Sequence, residues 1–176
     1  YSPNDTYVSS HCYYLKSRSS WGSNAFGAWE NSALRAKGKV TVAVLDTGAR
    51  YDHEDLASNL DLTNAYDVYN GKKLTASPTV KNGDNAGHGT YVSGLISAVA
   101  NNGKGVAGVS YNATVLPIKV SNDKTNNANA TSSTTSLCKA YDYLIKLVDN
   151  GTLKNLRVIN MSVGRYKYDN SAGTYN

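Results

Sequence analysis

Three short apolar runs, separated by longer polar stretches, dominate the pattern of this chain. They are residues 39–46 (KVTVAVLD), 113–120 (ATVLPIKV) and 156–164 (LRVINMSVG). Their apolar residues follow one another without strict alternation, which predicts strands buried on both faces, as in a parallel sheet. Residues 62–70 (LTNAYDVYN) fit a shorter strand, and a polar loop follows over 70–87.

Helical periodicity fills the segments between these runs. A helix is predicted over 90–100, where NNGKG supplies the stop signal and the apolar stripe is Val92, Leu95, Ile96 and Val99. A second helix is predicted to end at Asn150-Gly151, with a stripe of Leu137, Tyr141, Leu144 and Val148. Residues 25–36 (AFGAWENSALRA) suggest one or two short helices.

The order of these elements predicts the architecture. Strand, helix, strand, helix, strand indicates an α/β fold in which a parallel sheet lies between helices. We expect residues 1–38 to form an amino-terminal segment that packs on a domain formed by residues 39–176.

Composition narrows the possible functions. The chain has 176 residues, a formal net charge of +5 and 40% hydrophobic residues. Its basic residues are scattered, which argues against nucleic-acid binding. No apolar run reaches the roughly 18 residues that span a bilayer. Cys12 and Cys138 fit either one disulfide or two separate thiols.

The start of the chain, YSPNDTYVSS, lacks the basic and apolar regions of a signal peptide, and the only methionine is Met161. We therefore expect residue 1 to arise by processing.

Asp46 and His88 are the candidate chemical pair. Asp46 ends the first predicted strand, where ligands collect in open α/β sheets, and His88 opens a helix between Gly87 and Gly89. A histidine so placed can face a carboxylate with one ring nitrogen and a substrate hydroxyl with the other. The residues alone leave another interpretation open, in which Asp46 belongs to a turn and His88 is structural.

Five motifs in register resemble those of the subtilisin-like serine peptidases. They are VAVLDTG (42–48), GHGTYVSG (87–94), NNGKGVAGVS (101–110), ATVLPIKV (113–120) and VINMSVG (158–164), and HEDL (53–56) adds a shorter match. The resemblance implies a subtilisin-like three-layer fold with Asp46 as orienting acid and His88 as general base. It also implies that the backbone of Ser162, Val163 and Gly164 pairs with an extended substrate.

The same resemblance implies candidate calcium ligands. Asp55 matches a residue that binds calcium in many members of the family, and Asn102 is its expected companion. Carboxylate and amide oxygens suit this hard cation. The alternative is that Asp55 caps a turn and NNGKG only ends a helix. No catalytic cofactor is expected.

The resemblance stops short of a complete catalytic site. No GTSMA-like segment, which carries the family's nucleophilic serine, occurs in the sequence. The chain is therefore interpreted as the amino-terminal half of the catalytic domain, inactive alone and completed by a carboxy-terminal chain that carries the serine. The strand at 157–163 is expected to have VTVAVLD on one side and a neighbour from the missing half on the other. Without that neighbour, the chain is not expected to fold stably.

Two positions depart from the family pattern. Tyr91 replaces a second histidine, and Arg165 stands where a glycine is common and could narrow the substrate groove. Tyr91 lies within the His88 motif, but neither change replaces Asp46 or His88.

The leading hypothesis is a secreted serine endopeptidase made with a propeptide and cleaved again in the surface loop after YKYDNSAGTYN. The second is a peptide-binding pseudoprotease or signalling partner without hydrolytic activity, and the third is a truncated fragment without a role of its own.

Overall fold

The computed structural model describes residues 2–33, 38–74, 83–122, 132–164, 168–169 and 174–175. Within them, the strands are β1 Thr41–Asp46, β2 Tyr66–Asp67, β3 Lys72–Lys73, β4 Thr114–Lys119, β5 Leu156–Asn160, β6 Tyr168–Asp169 and β7 Thr174–Tyr175. The α-helices are α1 Val8–His11, α2 Ala25–Glu30, α3 His88–Ser97 and α4 Thr134–Asp149. Short 3-10 turns occupy Tyr13–Leu15, Arg18–Ser20 and Ala57–Asn59.

The main sheet has the order β3-β2-β4-β1-β5. The pairs β2/β4, β4/β1 and β1/β5 are parallel, and only the β2/β3 pair is antiparallel. In the described part of the chain, β5 is an edge strand with β1 as its neighbour. This is the neighbour that the sequence predicted for it.

Helices cover the two faces of the central strands, which explains the continuous apolar runs. In β1, Val42 and Val44 belong to one core cluster with Val92 of α3. The intervening Ala43 and Leu45 belong to another, which contains the buried side of α4. β1 and β4 thus bury both sets of alternating side chains, and the predicted α/β fold with a parallel sheet between helices is confirmed. The prediction that the third run is buried on both faces was wrong, because β5 lies at the edge of the described sheet and exposes Arg157 and Val158.

The predicted stripe of α4 was correct for Leu144, which is buried, and for Leu137, which packs half-buried against the core, but wrong for Tyr141 and Val148. The helix buries Ser136, Ala140, Leu144 and Leu147, whereas Tyr141 and Val148 are exposed. Two adjacent faces of this helix are apolar at helical spacing, so periodicity alone could not tell which one packs on the sheet. The predicted end at Asn150 is confirmed, because α4 runs to Asp149 with Asn150 as its C-cap.

Helix α3 is shorter than predicted. It begins at His88 and ends at Ser97, three residues before the predicted end. Val99 leaves the helix and its backbone N–H donates to the carbonyl of Asp55 (2.9 Å). A tertiary hydrogen bond therefore competes with the next helical turn, which the local pattern could not reveal. Strand β5 likewise ends at Asn160 rather than at 164.

Residues before β1 form a small core of their own. Val8, Cys12, Leu15, Ala25 and Trp29 are buried together with Ala107 from the loop after α3. The Trp29 ring packs edge-on against Tyr111 at 4.8 Å, and its indole N–H donates to the carbonyl of Val109 (3.2 Å). These contacts hold the amino-terminal segment against the loop that follows the His88 helix. Cys12 and Cys138 are both free thiols, the first buried and the second exposed.

Candidate active site

Asp46 and His88 meet at the carboxyl edge of the sheet. Asp46 is the last residue of β1 and His88 the first of α3, and His88 Nδ1 lies 2.7 Å from Asp46 Oδ1. A carboxylate can only accept, so Nδ1 carries the proton and Nε2 is left as an acceptor. The Asp46 side chain is 1% exposed and that of His88 is 46% exposed. The arrangement is a buried acid that holds a solvent-facing base.

Two glycines make this approach possible. A Cβ on Gly89 would collide with the backbone of Gly48 and reach Asp46 Cβ, so the first turn of α3 can lie directly against the turn after β1. Gly87, the N-cap of α3, has a φ of +80°, which residues with side chains rarely adopt. The pattern Gly87-His88-Gly89 therefore serves close packing beside the carboxylate.

Thr47 and Asp84 connect the turn that follows Asp46 to the start of the His88 helix. Thr47 donates its hydroxyl to Asp84 Oδ1 (2.7 Å) and accepts the backbone N–H of Gly89 (2.8 Å). The backbone N–H of Thr47 donates to Asp46 Oδ1 (2.7 Å). One threonine thus connects the carboxylate, the start of the His88 helix and a second buried acid.

Asp84 caps the amino end of α3. Its carboxylate accepts the backbone N–H groups of Gly87 (2.9 Å) and Thr90 (2.7 Å), and the Thr90 hydroxyl as well (2.6 Å). Helix N-termini carry unpaired N–H groups and favour negative charge, so this acid fixes where the helix begins. We did not predict Asp84 from the sequence, although an N-capping type of residue shortly before a helix was a visible signal.

Lys119, on the neighbouring strand β4, supports the turn that follows Asp46. It is the last residue of β4, lies opposite Asp46 in the strand register and is 3% exposed. Its ammonium donates to the carbonyl of Thr47 (2.7 Å), with the Gly83 carbonyl at 3.5 Å. Sequence reasoning missed this residue because a lysine at a strand end usually faces solvent.

The three predicted substrate-binding residues follow the end of β5. Ser162, Val163 and Gly164 are exposed, and Asn160 pairs with Val44, two residues before Asp46. They therefore lie towards the same edge of the sheet as the Asp46–His88 pair. The Ser162 hydroxyl accepts a hydrogen bond from Asn160 Nδ2 (3.0 Å). Arg165 lies outside the described residues. The segment YKYDNSAGTYN (166–176), after which cleavage is predicted, is described only at 168–169 and 174–175.

Asp55 and Asn102 are in direct contact, as the calcium hypothesis requires. Asn102 Nδ2 donates to Asp55 Oδ1 (2.8 Å), and the backbone N–H of Val106 donates to Oδ2 (2.8 Å). Burial raises the pKa of the Asp55 carboxyl, against the opposing effect of these two donors, and the charge of Asp5 raises it further. No cluster of three acidic, histidine or cysteine side chains suited to a metal occurs among the described residues.

Asp5 is an acid near this loop that the sequence analysis did not identify. Its carboxylate is buried and accepts the backbone N–H groups of Asn101 and Asn102 (both 2.9 Å). Two carboxylates and an amide provide oxygen donors of the kind that a hard cation prefers. Asn102 would have to turn its amide, because Oδ1 now accepts from the backbone N–H of Lys104 (2.7 Å). The residues fit calcium in composition.

A sequence model described as the Subtilase family matches residues 37–176. Proprotein convertase subtilisin/kexin type 6 of Rattus norvegicus is 36% identical over 110 residues, which cover 62% of this chain and 11% of the relative. Thermitase of Thermoactinomyces vulgaris is 29% identical over 158 residues, which cover 88% of this chain and 50% of the relative. The chain thus spans about half, or less, of the length of these curated relatives.

Solved structures give a consistent match. A protease of Pseudoalteromonas arctica aligns with a TM-score of 0.64 and 30% identity, covering 97% of this chain and 53% of the other. Fervidolysin of Fervidobacterium pennivorans, described as a keratinolytic enzyme related to subtilisin, aligns with a TM-score of 0.56 and 28% identity over 90% of this chain and 22% of its own.

Proposed function

Because the chain belongs to the subtilase family of serine endopeptidases, we propose that it supplies the acid and base of a peptide-hydrolysing site whose serine lies outside residues 1–176. The observation that carries the proposal is the 2.7 Å contact between His88 Nδ1 and the buried Asp46. If Asp46 only formed a turn and His88 were only structural, this pairing at the open edge of the sheet would not be expected. An intact pair also argues against the pseudoprotease hypothesis.

In this mechanism His88 Nε2 takes the proton of the serine hydroxyl as that oxygen attacks the peptide carbonyl, and then returns it to the leaving amine. Asp46 keeps the proton on Nδ1 and stabilises the imidazolium that forms. Thr47 and Asp84 hold Asp46 and His88 at fixed separation. The substrate strand pairs with the backbone of Ser162, Val163 and Gly164, as an added strand at the sheet edge.

The surface of the described residues supports a further segment, carrying the serine, as the neighbour of β5. Among these residues β5 pairs on one side only, with β1, and Val158 in the middle of the strand is 50% exposed. A groove of about 770 Å³ follows α3, lined by Gly94 and Leu95 of the helix, by its C-cap Ala98 and by Tyr14 from the amino-terminal segment. An edge strand and an apolar groove of this kind are normally covered in a stable protein.

Calcium and secretion complete the proposal. Asp5, Asp55 and Asn102 would hold a structural Ca²⁺ that neutralises the two carboxylates and tethers the amino-terminal segment to the loop after α3. Secretion, with removal of a propeptide, is the other part of the proposal, as the family resemblance implies. Within the described residues, no helix has the length and apolar character to cross a bilayer.

The test exposes the intact protein to a fluorophosphonate probe and locates the label by mass spectrometry of its peptides. We expect the label on a serine outside residues 1–176 and none within them. His88→Ala and Asp46→Asn should each lower kcat by about 10⁴-fold or more. His11→Ala provides the histidine control, because this exposed side chain contacts Tyr7 and Ser10 rather than the Asp46–His88 pair and should leave kcat unchanged.

An intact protein that stays unlabelled would favour the pseudoprotease. A label on a serine within residues 1–176 would contradict the proposal.

A further inference from the structure

The end of α4 forms an exposed turn that contains the triplet Asn150-Gly151-Thr152. Asn150 is the C-cap, and its Oδ1 accepts the backbone N–H of Thr152 (3.0 Å). Gly151 has a φ of +77° and donates its N–H to the carbonyl of Val148 (3.0 Å). The turn is therefore held in one conformation by the helix end and by the asparagine side chain.

Asparagine followed two residues later by threonine is the acceptor triplet for N-linked oligosaccharides. The Oδ1 hydrogen bond brings the backbone of Thr152 to the Asn150 carboxamide. Asn150 Nδ2 donates to no described residue, and both Asn150 and Thr152 are exposed. The nitrogen that forms the glycosidic bond is free, and space for a sugar surrounds it.

The other triplets in the described ranges are engaged differently. Asn160 lies in β5 and donates its Nδ2 to Ser162 Oγ (3.0 Å). In the Asn4 triplet, the hydroxyl of Thr6 donates to the carbonyl of Gly103 (2.9 Å), which ties it to the loop after α3. Asn112 is half-buried, and the threonine of its triplet, Thr114, is the first residue of β4. A further match at Asn129 lies outside the described residues. The geometry thus favours Asn150 over three matches that the sequence cannot separate from it.

We propose that Asn150 carries an N-linked oligosaccharide. In the transfer step, Nδ2 attacks the anomeric carbon of an oligosaccharide linked to a lipid pyrophosphate, and a C–N bond forms. The bond from that carbon to the pyrophosphate oxygen breaks, the lipid pyrophosphate departs with the electron pair, and Nδ2 loses one proton. The donor is a glycolipid of the secretory membrane, so this inference rests on the secretion given under Proposed function.

A glycan on Asn150 would not block the Asp46–His88 pair. Residues 153–155 lead from the turn into β5, and Leu156 pairs with Thr41 at the start of β1. Asp46 lies at the other end of β1, five residues along, which is roughly 16 Å at about 3.3 Å per residue. A glycan on Asn150 would therefore extend from the edge of the sheet opposite to the Asp46–His88 pair.

The test is site-specific occupancy in the intact protein isolated from the organism that makes it. Peptides are released with peptide N-glycosidase in heavy-oxygen water, which converts each formerly glycosylated asparagine into labelled aspartate. We expect the label at Asn150 and ordinary asparagine at Asn4, Asn112 and Asn160. An unmodified Asn150 peptide in secreted protein overturns the proposal and leaves the protease function intact. Protein that never enters the secretory route overturns the proposed localisation with it.

Matched variants secreted from a eukaryotic host provide a second readout. Thr152→Ala destroys the triplet and should abolish the glycosidase-sensitive shift in electrophoretic mobility, whereas Thr152→Ser keeps it. Both retain the backbone N–H that Asn150 accepts, so the turn and the helix end are preserved. A shift that survives Thr152→Ala, or that is lost only with Asn160→Gln, would contradict the assignment.

Discussion

At the scale of single residues, the two oxygens of Asp46 differ. Oδ1 accepts from both His88 Nδ1 and the backbone N–H of Thr47, whereas Oδ2 is buried with no donor among the described residues. A buried carboxylate oxygen without a donor is costly, and that cost falls when a positive charge develops nearby. Protonation of the His88 ring during catalysis would supply such a charge, which fits the proposed role of Asp46.

Asp55 provides a prediction at the same scale. The pKa of Asp55 is raised in the folded chain above the ordinary 3.8. At pH values between the unfolded pKa and the raised folded pKa, the native state therefore binds more protons than the unfolded state. In metal-free buffer, the contribution of Asp55 to the free energy of unfolding should therefore fall as pH rises through this window. At pH values above this window, added Ca²⁺ should raise the free energy of unfolding. Chemical denaturation of the assembled protein across pH, with and without Ca²⁺, measures both effects.

Asp55→Asn should remove the pH-dependent fall and the response to Ca²⁺. Glu54→Gln is the control, because this neighbouring acid is exposed and forms only a surface ion pair with Lys104 (3.1 Å). An equal Ca²⁺ response in Asp55→Asn and the parent protein would rule out the calcium assignment.

At the scale of elements, the site depends on how closely α3 approaches the turn after β1. Gly89→Ala would place a methyl group against the Gly48 backbone and push the helix away from Asp46. We expect a loss of about 1–3 kcal/mol in unfolding free energy from this overpacking. The kcat/KM of the assembled enzyme should fall as well, because the His88–Asp46 contact would lengthen.

Gly38→Ala is the matched control for that substitution. A Cβ at Gly38 meets no atom within 4 Å and its φ is not in the left-handed region. It should leave kcat/KM unchanged and stabilise the fold slightly, if at all. Equal effects of the two substitutions on kcat/KM would refute the close-packing explanation.

At the scale of the whole molecule, β5 decides the behaviour of the chain in solution. Its open edge is a template for pairing with another strand, so isolated residues 1–176 should self-associate. Val158→Lys should reduce this association, because a charge on an edge strand disfavours strand addition. Light scattering as a function of concentration measures the effect.

Tyr69→Lys is the control, since it introduces the same charge at a similarly exposed residue outside the strands. If both variants reduce association equally, net charge rather than the β5 edge is responsible.

Local sequence determined much of this protein. The apolar runs identified β1, β4 and β5. In β1 and β4 both faces are buried, as a continuous apolar signature predicts, whereas β5 exposes Arg157 and Val158. The Asp46 and His88 motifs indicated the candidate pair, because close backbone approach demands glycine at fixed positions around the histidine. Both signals belong to short stretches of chain and do not depend on distant partners.

Tertiary structure decided what depends on contacts between distant segments. Which apolar face of α4 packs on the sheet, and where α3 ends, were settled by the sheet surface and by the Asp55 backbone. Asp84, Lys119 and Asp5 gained their positions only when loops far apart in sequence met. A polar side chain carries no local mark of the backbone group that it will bind, so the network supporting the site could not be predicted from the sequence alone.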